Sequence, residues 1–260
     1  MEVGNRNVVI TGSSRGIGWE LARAFAKEHA ALHLVQRSWD SNKIEELTKL
    51  GAAKVVRWTC DLTKTDSILN LGKDLAKENI DVLVNNAGIL TGELLEKQND
   101  NDIIDVFQLN LVASALLIKS VLPSMLERRS GKIVNNTSVS AYMRFPCATT
   151  YAAAKSGLLA MTECLETELM GTGVGTLALV TPGIKTDMFD QIKTSYGKYF
   201  DSPADYISAE EYANQIVDAI KRDETYLMPK GATRFGLLMN KYTPSLFKKF
   251  VIGSFNRNRA

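Results

Sequence analysis

Histidine and cysteine are scarce, two and three in 260 residues. Cys60, Cys147 and Cys164 are an odd number without paired spacing, which argues against a disulfide framework or a zinc site and suits a reducing compartment. His29 and His33 have no third ligand near them in the chain, so no metal site is expected. Long hydrophobic runs are missing too. No stretch approaches the roughly 18 consecutive apolar residues that read as a spanning helix, and the opening MEVGNRN lacks the basic-then-apolar pattern of a secretory leader. A soluble, cytoplasmic protein is the expectation. Acidic residues are absent from the last 36 residues, which hold seven cations: Lys230, Arg234, Lys241, Lys248, Lys249, Arg257 and Arg259. With a net charge of +2 for the whole chain, residues 1–224 therefore carry −5. Basic and aromatic residues are not interleaved as nucleic-acid binding requires, so no nucleic-acid partner is expected.

The chain has enough apolar material, 45% of its residues, for one large core. Residues 7–18, NVVITGSSRGIG, read as a short strand, a turn with glycines at 12, 16 and 18, and the start of the helix WELARAFAKEHA. Helix-start amides point at an anion, and glycine lets backbone approach a phosphate, so a dinucleotide is implied. The spacing is G-x-x-x-G-x-G, which differs from the common dinucleotide fingerprint. The next strand, ALHLVQRS, ends in Gln36, Arg37 and Ser38, where selection of the unphosphorylated cofactor calls for an acid. Gln36 replaces that acid, while Arg37 and Arg15 supply guanidinium for a 2′-phosphate, so NADP(H) is preferred.

Further along, Asp61 and Leu62 follow the strand AKVVRWT. Asp61 could accept from an adenine amine or cap the helix opening at TKTDSILNL. Asn85, Asn86, Ala87 and Gly88 follow the strand IDVLV, with amides able to tie loops together and Gly88 allowing close approach to a cofactor. Residues 100–127 predict a long helix with Asn110 as a polar residue on an apolar face, which requires partners. Ser138 closes the strand KIVNNTS, and Tyr151 and Lys155 stand at i and i+4 on a predicted helix, sharing one face. An ammonium one turn away favours the phenolate, lowering the tyrosine pKa from about 10.

Taken together, TGSSRGIG at 11–18, Asp61-Leu62, NNAG at 85–88, Asn110, Ser138, YAAAK at 151–155 and Pro182-Gly183 resemble the short-chain dehydrogenase/reductase family. The matches run in family order from residue 7 to about 190. The resemblance implies a single-domain, Rossmann-type doubly wound α/β sheet of about seven parallel strands with helices on both faces. It also implies hydride transfer between a nicotinamide and a carbonyl or alcohol carbon, here with NADP(H) preferred on the residues above and a ketone, aldehyde or alcohol as substrate. Carried over by position, Tyr151 is the acid in reduction and the base in oxidation. Lys155 binds the nicotinamide ribose and lowers the tyrosine pKa, Ser138 holds the substrate oxygen, and Asn110 holds a water against Lys155. Gly12, Ser14, Arg15, Gly16, Ile17 and Gly18 become cofactor contacts, as do Arg37, Ser38, Asp61, Leu62, Asn86, Ala87 and Gly88. So do Tyr151, Lys155, Pro182, Gly183, Ile184 and Thr186, the last standing three residues beyond Gly183 where the family usually has a threonine four beyond. Thr137 and Ser140 compete for the serine role, but the thirteen-residue spacing to Tyr151 selects Ser138. Homodimers or homotetramers built through the helices at 100–127 and 150–170 are usual for such relatives.

Residues 187–207 correspond to the loop that covers the substrate in relatives, and their aromatics Phe189, Tyr196, Tyr199 and Phe200 suggest either an apolar pocket or packing on the surface. The family domain is taken as residues 1–232. After it, residues 233–260 mix large apolar side chains with cations, and could cap the pocket, pack at a subunit interface or lie weakly on a membrane surface. The rival to an enzyme is an NADP(H)-binding regulatory or scaffold protein with little turnover.

Overall fold

The apolar runs become strands: β1 (Asn7–Thr11), β2 (Ala31–Gln36), β3 (Lys54–Thr59), β4 (Val82–Asn85), β5 (Gly131–Asn136), β6 (Val174–Leu179), β7 (Ile184–Lys185), β8 (Ile207–Ser208) and β9 (Tyr226–Leu227). The helices between them are α1 (Gly16–Lys27), α2 (Ser41–Lys49), α3 (Thr65–Leu75), α4 (Asp100–Phe107), α5 (Ala113–Glu127) and α6 (Thr149–Glu168), followed by α7 (Ala209–Lys221), α8 (Gly231–Tyr242) and α9 (Pro244–Gly253). The computed structural model describes residues 1–186, 199 and 206–258. Seven strands form one sheet in the order β3-β2-β1-β4-β5-β6-β9, every neighbouring pair parallel, and β7 pairs with β8 beside it.

Alternation along β1 shows how the sheet is buried on both faces. Val8 and Ile10 join Leu21, Phe25, Leu47, Ile216 and Ile220 in a core under α1, α2 and α7. Val9 points the other way, into a core with Ile68, Leu75, Leu117, Val121 and Leu165 under α3, α5 and α6. Strands buried on both faces carry near-continuous apolar runs, which is why they were readable as short hydrophobic bursts.

Chain order reverses beside β1, which pairs with β2 on one side and β4 on the other. Crevices above such a reversal are where open α/β sheets bind ligands. The glycine turn after β1 and the Asn85–Gly88 segment after β4 meet there.

The helix expected over residues 100–127 is present, but a π-helical turn, Gln108–Val112, interrupts it around Asn110. By length and mean hydropathy, 1.7, Asp100–Glu127 could cross a membrane. Here α4 packs on α6 and α5 on α3, with Val106, Leu117, Val121 and Met125 buried between them.

Candidate active site

Thr11, the last residue of β1, organises the crevice. Its hydroxyl accepts from the amides of Asn86 and Ala87 at 2.9 and 3.0 Å, and donates to the Val84 carbonyl at 3.3 Å. The Asn86 amide returns the tie by donating to the Thr11 carbonyl at 3.0 Å, while its oxygen accepts from Asn136 Nδ2 at 3.0 Å. One network thus holds the glycine turn, the loop after β4 and the end of β5 in register. From outside, Lys43 donates to the Ser14 carbonyl at 2.6 Å and lies over the Trp19 ring.

Gly18 is needed for closeness rather than for its torsion angles. A Cβ there would stand 2.2 Å from the Gly12 carbonyl oxygen and 2.6 Å from Asn86 Nδ2. Gly18→Ala should therefore cost about 3 kcal/mol of stability, at the upper end of overpacking penalties. A urea midpoint unchanged from the parent would refute this. The start of α1 has no acidic residue in its first turn, so its amides and dipole present a positive end to the crevice.

A cavity of about 1390 Å³ runs from this turn across the carboxyl ends of the strands. Gly12, Ser14, Arg15, Gly16 and Ile17 line one end, with Arg37, Asp61 and Leu62 beside them. Asn86, Ala87, Gly88, Pro182, Gly183, Ile184 and Thr186 line its middle. Thr186 lies against the turn, its Cγ2 3.3 Å from where a Cβ on Gly16 would stand. Two residues expected at the cofactor are not among the lining: Gly18 lies beneath the turn, and Ser38 is exposed beyond β2.

At the end of β2, Gln36 accepts a hydrogen bond from Ser13 at 3.1 Å, tying that strand end to the glycine turn, and leaves Arg37 exposed. Asp61 does not cap α3, whose cap position is Lys64. Instead its carboxylate accepts from the amide and hydroxyl of Thr63 at 3.0 and 2.9 Å. Those bonds, with the nearby charge of Arg37, hold its pKa below the usual carboxylate range.

Ser138, Tyr151 and Lys155 converge at the far end of the same cavity. Ser138 caps a short turn by accepting from the Ser140 amide at 3.1 Å, and its hydroxyl hydrogen-bonds Tyr151. Thr137 is unavailable for that role, because its hydroxyl donates to the Leu179 carbonyl at 2.6 Å. Lys155 is buried, donates to the Asn136 carbonyl at 2.6 Å, and stands 5.7 Å from the centre of the Tyr151 ring.

The proton energetics differ from the sequence expectation. Burial pushes Tyr151 up to about 12, against a smaller lowering by the Ser138 hydrogen bond. Burial likewise pulls Lys155 down to about 7. The lysine was expected to depress the tyrosine. Desolvation outweighs it, since an amine titrating near neutrality is only partly charged there. The outcome is a tyrosine that keeps its proton at neutral pH, the form an acid needs.

The π turn explains Asn110. Its Nδ2 donates to the Ile89 carbonyl at 2.9 Å and to the Val106 carbonyl, one turn back, at 2.8 Å. Its Oδ1 is buried with no partner. That oxygen and Lys155 Nζ lie 2.6 and 3.5 Å from a Cβ built on Gly88, so Gly88 leaves room between them for a small polar group. An orphan acceptor, a glycine cradle at a helix start and a cavity long enough to join them suit a nicotinamide dinucleotide.

Sequence reasoning missed the Asn136 carbonyl, which carries no side-chain signal, and much of the cavity's apolar wall. Met143 and Phe145 line that wall, with Thr233, Phe235, Gly236, Met239, Phe247 and Phe250 from α8 and α9. Residues 233–258 include most of α8 and all of α9, which lie over the pocket, anchored by Leu237, Phe247 and Val251 on Met143 and Val180. Tyr199 does not line the cavity. It is buried with Leu94, Cys147 and Phe255, and its hydroxyl accepts from Lys97 at 3.1 Å. Phe189, Tyr196 and Phe200 lie outside the described residues.

A family model described as short chain dehydrogenase matches residues 6–197. Ketoacyl reductase HetN of Nostoc sp. is 31% identical over 271 residues, covering 98% of this chain and 92% of that protein. A 3-oxoacyl-acyl-carrier-protein reductase, FabG of Buchnera aphidicola, is 30% identical over 233 residues, 87% of this chain and 94% of its own. Among solved structures, a variant of actinorhodin polyketide ketoreductase with NADPH aligns with a TM-score of 0.77 at 26% identity, over 85% of this chain and 94% of its own. A short-chain dehydrogenase of Streptomyces avermitilis shares the fold, with a TM-score of 0.77 at 22% identity over 96% of this chain and 99% of its own.

Proposed function

This chain belongs to the short-chain dehydrogenase/reductase family, and from that premise we propose that it is an NADP(H)-dependent reductase of an apolar ketone or aldehyde, working in the cytoplasm. The observation that carries the proposal is the convergence of Ser138, Tyr151 and Lys155 at the end of a cavity whose other end is a glycine cradle. Bound nicotinamide would supply hydride to the carbonyl carbon. Ser138 would hold the carbonyl oxygen, and Tyr151, protonated at neutral pH, would give it a proton. Lys155 and Asn110 would hold the ribose and a water behind the tyrosine, returning its proton. Such a constellation has no use in a protein that only binds the dinucleotide.

Two features support the finer parts. Arg37, with Gln36 in the position of the usual acid, favours a 2′-phosphate. The relative with NADPH agrees. The wall of Met143, Phe145, Phe235, Met239 and Phe247 favours an apolar substrate. The relatives named as ketoacyl and 3-oxoacyl reductases point to a ketone on an acyl chain.

Arg37→Ala should remove a charge-assisted contact worth about 2 kcal/mol, raising Kd for NADPH roughly thirtyfold while leaving NADH unchanged. Equal losses for both dinucleotides would remove the NADP(H) assignment. The reaction is tested by incubating the protein with NADPH and a lipid extract, then searching by mass spectrometry for ions that gain two hydrogens. A gain that requires both NADPH and Tyr151 is expected. Confirmed NADPH binding with no such gain, across extracts and a panel of 3-oxoacyl thioesters, would count against the proposal.

A further inference from the structure

Five of the eleven large apolar side chains exposed among the described residues lie on α8 and α9, which pack on each other: Phe235 (68% exposed), Leu238, Tyr242 (71%), Leu246 (57%) and Phe250 (53%). On α8 they recur at i, i+3 and i+7, and on α9 at i and i+4, so each helix turns one apolar stripe outward. The inward stripes are already used, through Leu237, Phe247 and Val251. Apolar residues scattered singly over a surface need no explanation, but a cluster does.

The charge carried by the two helices has one sign. Lys230, Arg234, Lys241, Lys248 and Lys249 are exposed, no acidic residue occurs after Glu224, and among the described residues none of the five pairs with a carboxylate. The patch also reaches the cavity, because Phe235 and Phe250 both line it. An outward apolar stripe flanked by cations fits the headgroup and acyl boundary of an anionic bilayer. A second copy of the chain fits less well, since a two-fold interface would set this cationic face against itself.

We propose that α8 and α9 dock on an anionic lipid surface and turn the cavity mouth toward it, so that the apolar carbonyl compound enters from the lipid. Docking stands on the patch and its charge alone. The passage of substrate rests on the reductase reading above.

The test uses the full chain without substrate, sedimented with phosphatidylcholine vesicles or with mixed phosphatidylcholine and phosphatidylglycerol vesicles. The parent should partition to the mixed vesicles, bind the neutral ones less, and be released at high ionic strength. Arg234→Glu, Lys248→Glu and Lys249→Glu combined should weaken partitioning at least about a hundredfold, each lost cation near the surface being worth about fivefold. Leu238→Ser, Tyr242→Ser and Leu246→Ser combined should weaken it about tenfold or more. None of these six residues lines the cavity, so both variants should keep the thermal midpoint and the parent's rate on a water-soluble ketone.

Three results would overturn the proposal: no sedimentation, equal binding to both vesicle types, or a dimer in light scattering that the serine variant dissociates while no chain sediments. Sedimentation needs no turnover, so failure of the reductase reading would leave it intact. Activity on a soluble ketone without sedimentation would remove only the docking.

Discussion

Replacing Tyr151 by phenylalanine is expected to lower kcat for carbonyl reduction about a thousandfold and to leave NADPH affinity essentially unchanged. Proton donation by a positioned side chain contributes roughly 10² to 10⁴ to a rate, and the hydroxyl is all that Tyr151→Phe removes. The ring stays where α6 puts it, and the glycine cradle lies at the other end of the cavity. Ser138→Ala would be a poorer test, because Ser138 also caps the turn at Ser140. Single-turnover reduction and a fluorescence titration with NADPH measure the two quantities. A variant keeping a tenth or more of the parent rate would remove Tyr151 from its role.

The pH dependence sharpens this. Tyr151 holds its proton to about pH 12, so it imposes no limit on reduction near neutrality. Lys155 loses its charge through about pH 7. Because kcat/KM reports the free enzyme, reduction should decline as pH rises through that value. Alcohol oxidation needs Tyr151 as a base and should rise with pH instead.

Lys155→Met should abolish turnover and yet stabilise the protein at neutral pH. Its pKa falls from the ordinary 10.5 to about 7 on folding, so the folded state disfavours the charged form. Between those two values the unfolded chain binds the extra proton. Stability therefore rises with pH across that window, and the burial penalty is full below pH 7 and gone above 10.5. At pH 7 the penalty is roughly 4 kcal/mol. Against it stands the hydrogen bond to the Asn136 carbonyl, which Met would leave unmade at a cost of about 2 kcal/mol. A net gain of about 2 kcal/mol is expected at pH 7, or about 4 to 8 °C in Tm. The gain should shrink with rising pH and become a loss above about pH 9. Urea unfolding at both ends of the range would measure it, and a variant less stable than the parent at pH 7 would contradict it. Function here holds a cation in a place where stability would exclude it.

Much of this site is legible in order along the chain, because its parts sit at element ends that short motifs mark. The turn at residues 11–18 needs only a strand, glycines and a helix start in succession. Tyr151 and Lys155 need only a helix to share a face. Asn110 stood out as polar on an apolar helix, although nothing in its neighbours announced the π turn that frees its Oδ1. Asp61 had two readings, and the bonds from Thr63 excluded the helix cap.

Other elements resisted because their environment comes from distant segments. Tyr199 reads like a pocket aromatic, yet Leu94, Cys147 and Phe255 bury it elsewhere. The Asn136 carbonyl becomes a ligand for Lys155 only where β5 and α6 meet.

The sequence alone determined the family and the doubly wound sheet, and singled out Ser138, Tyr151 and Lys155 as candidates for the site, since each depends on spacing that survives without knowing what packs against it. Only the tertiary structure decided how strongly Tyr151 and Lys155 hold their protons, and which residues close the cavity. Desolvation is set by every segment that excludes water from a group, and α8 and α9 reach the site from the far end of the chain.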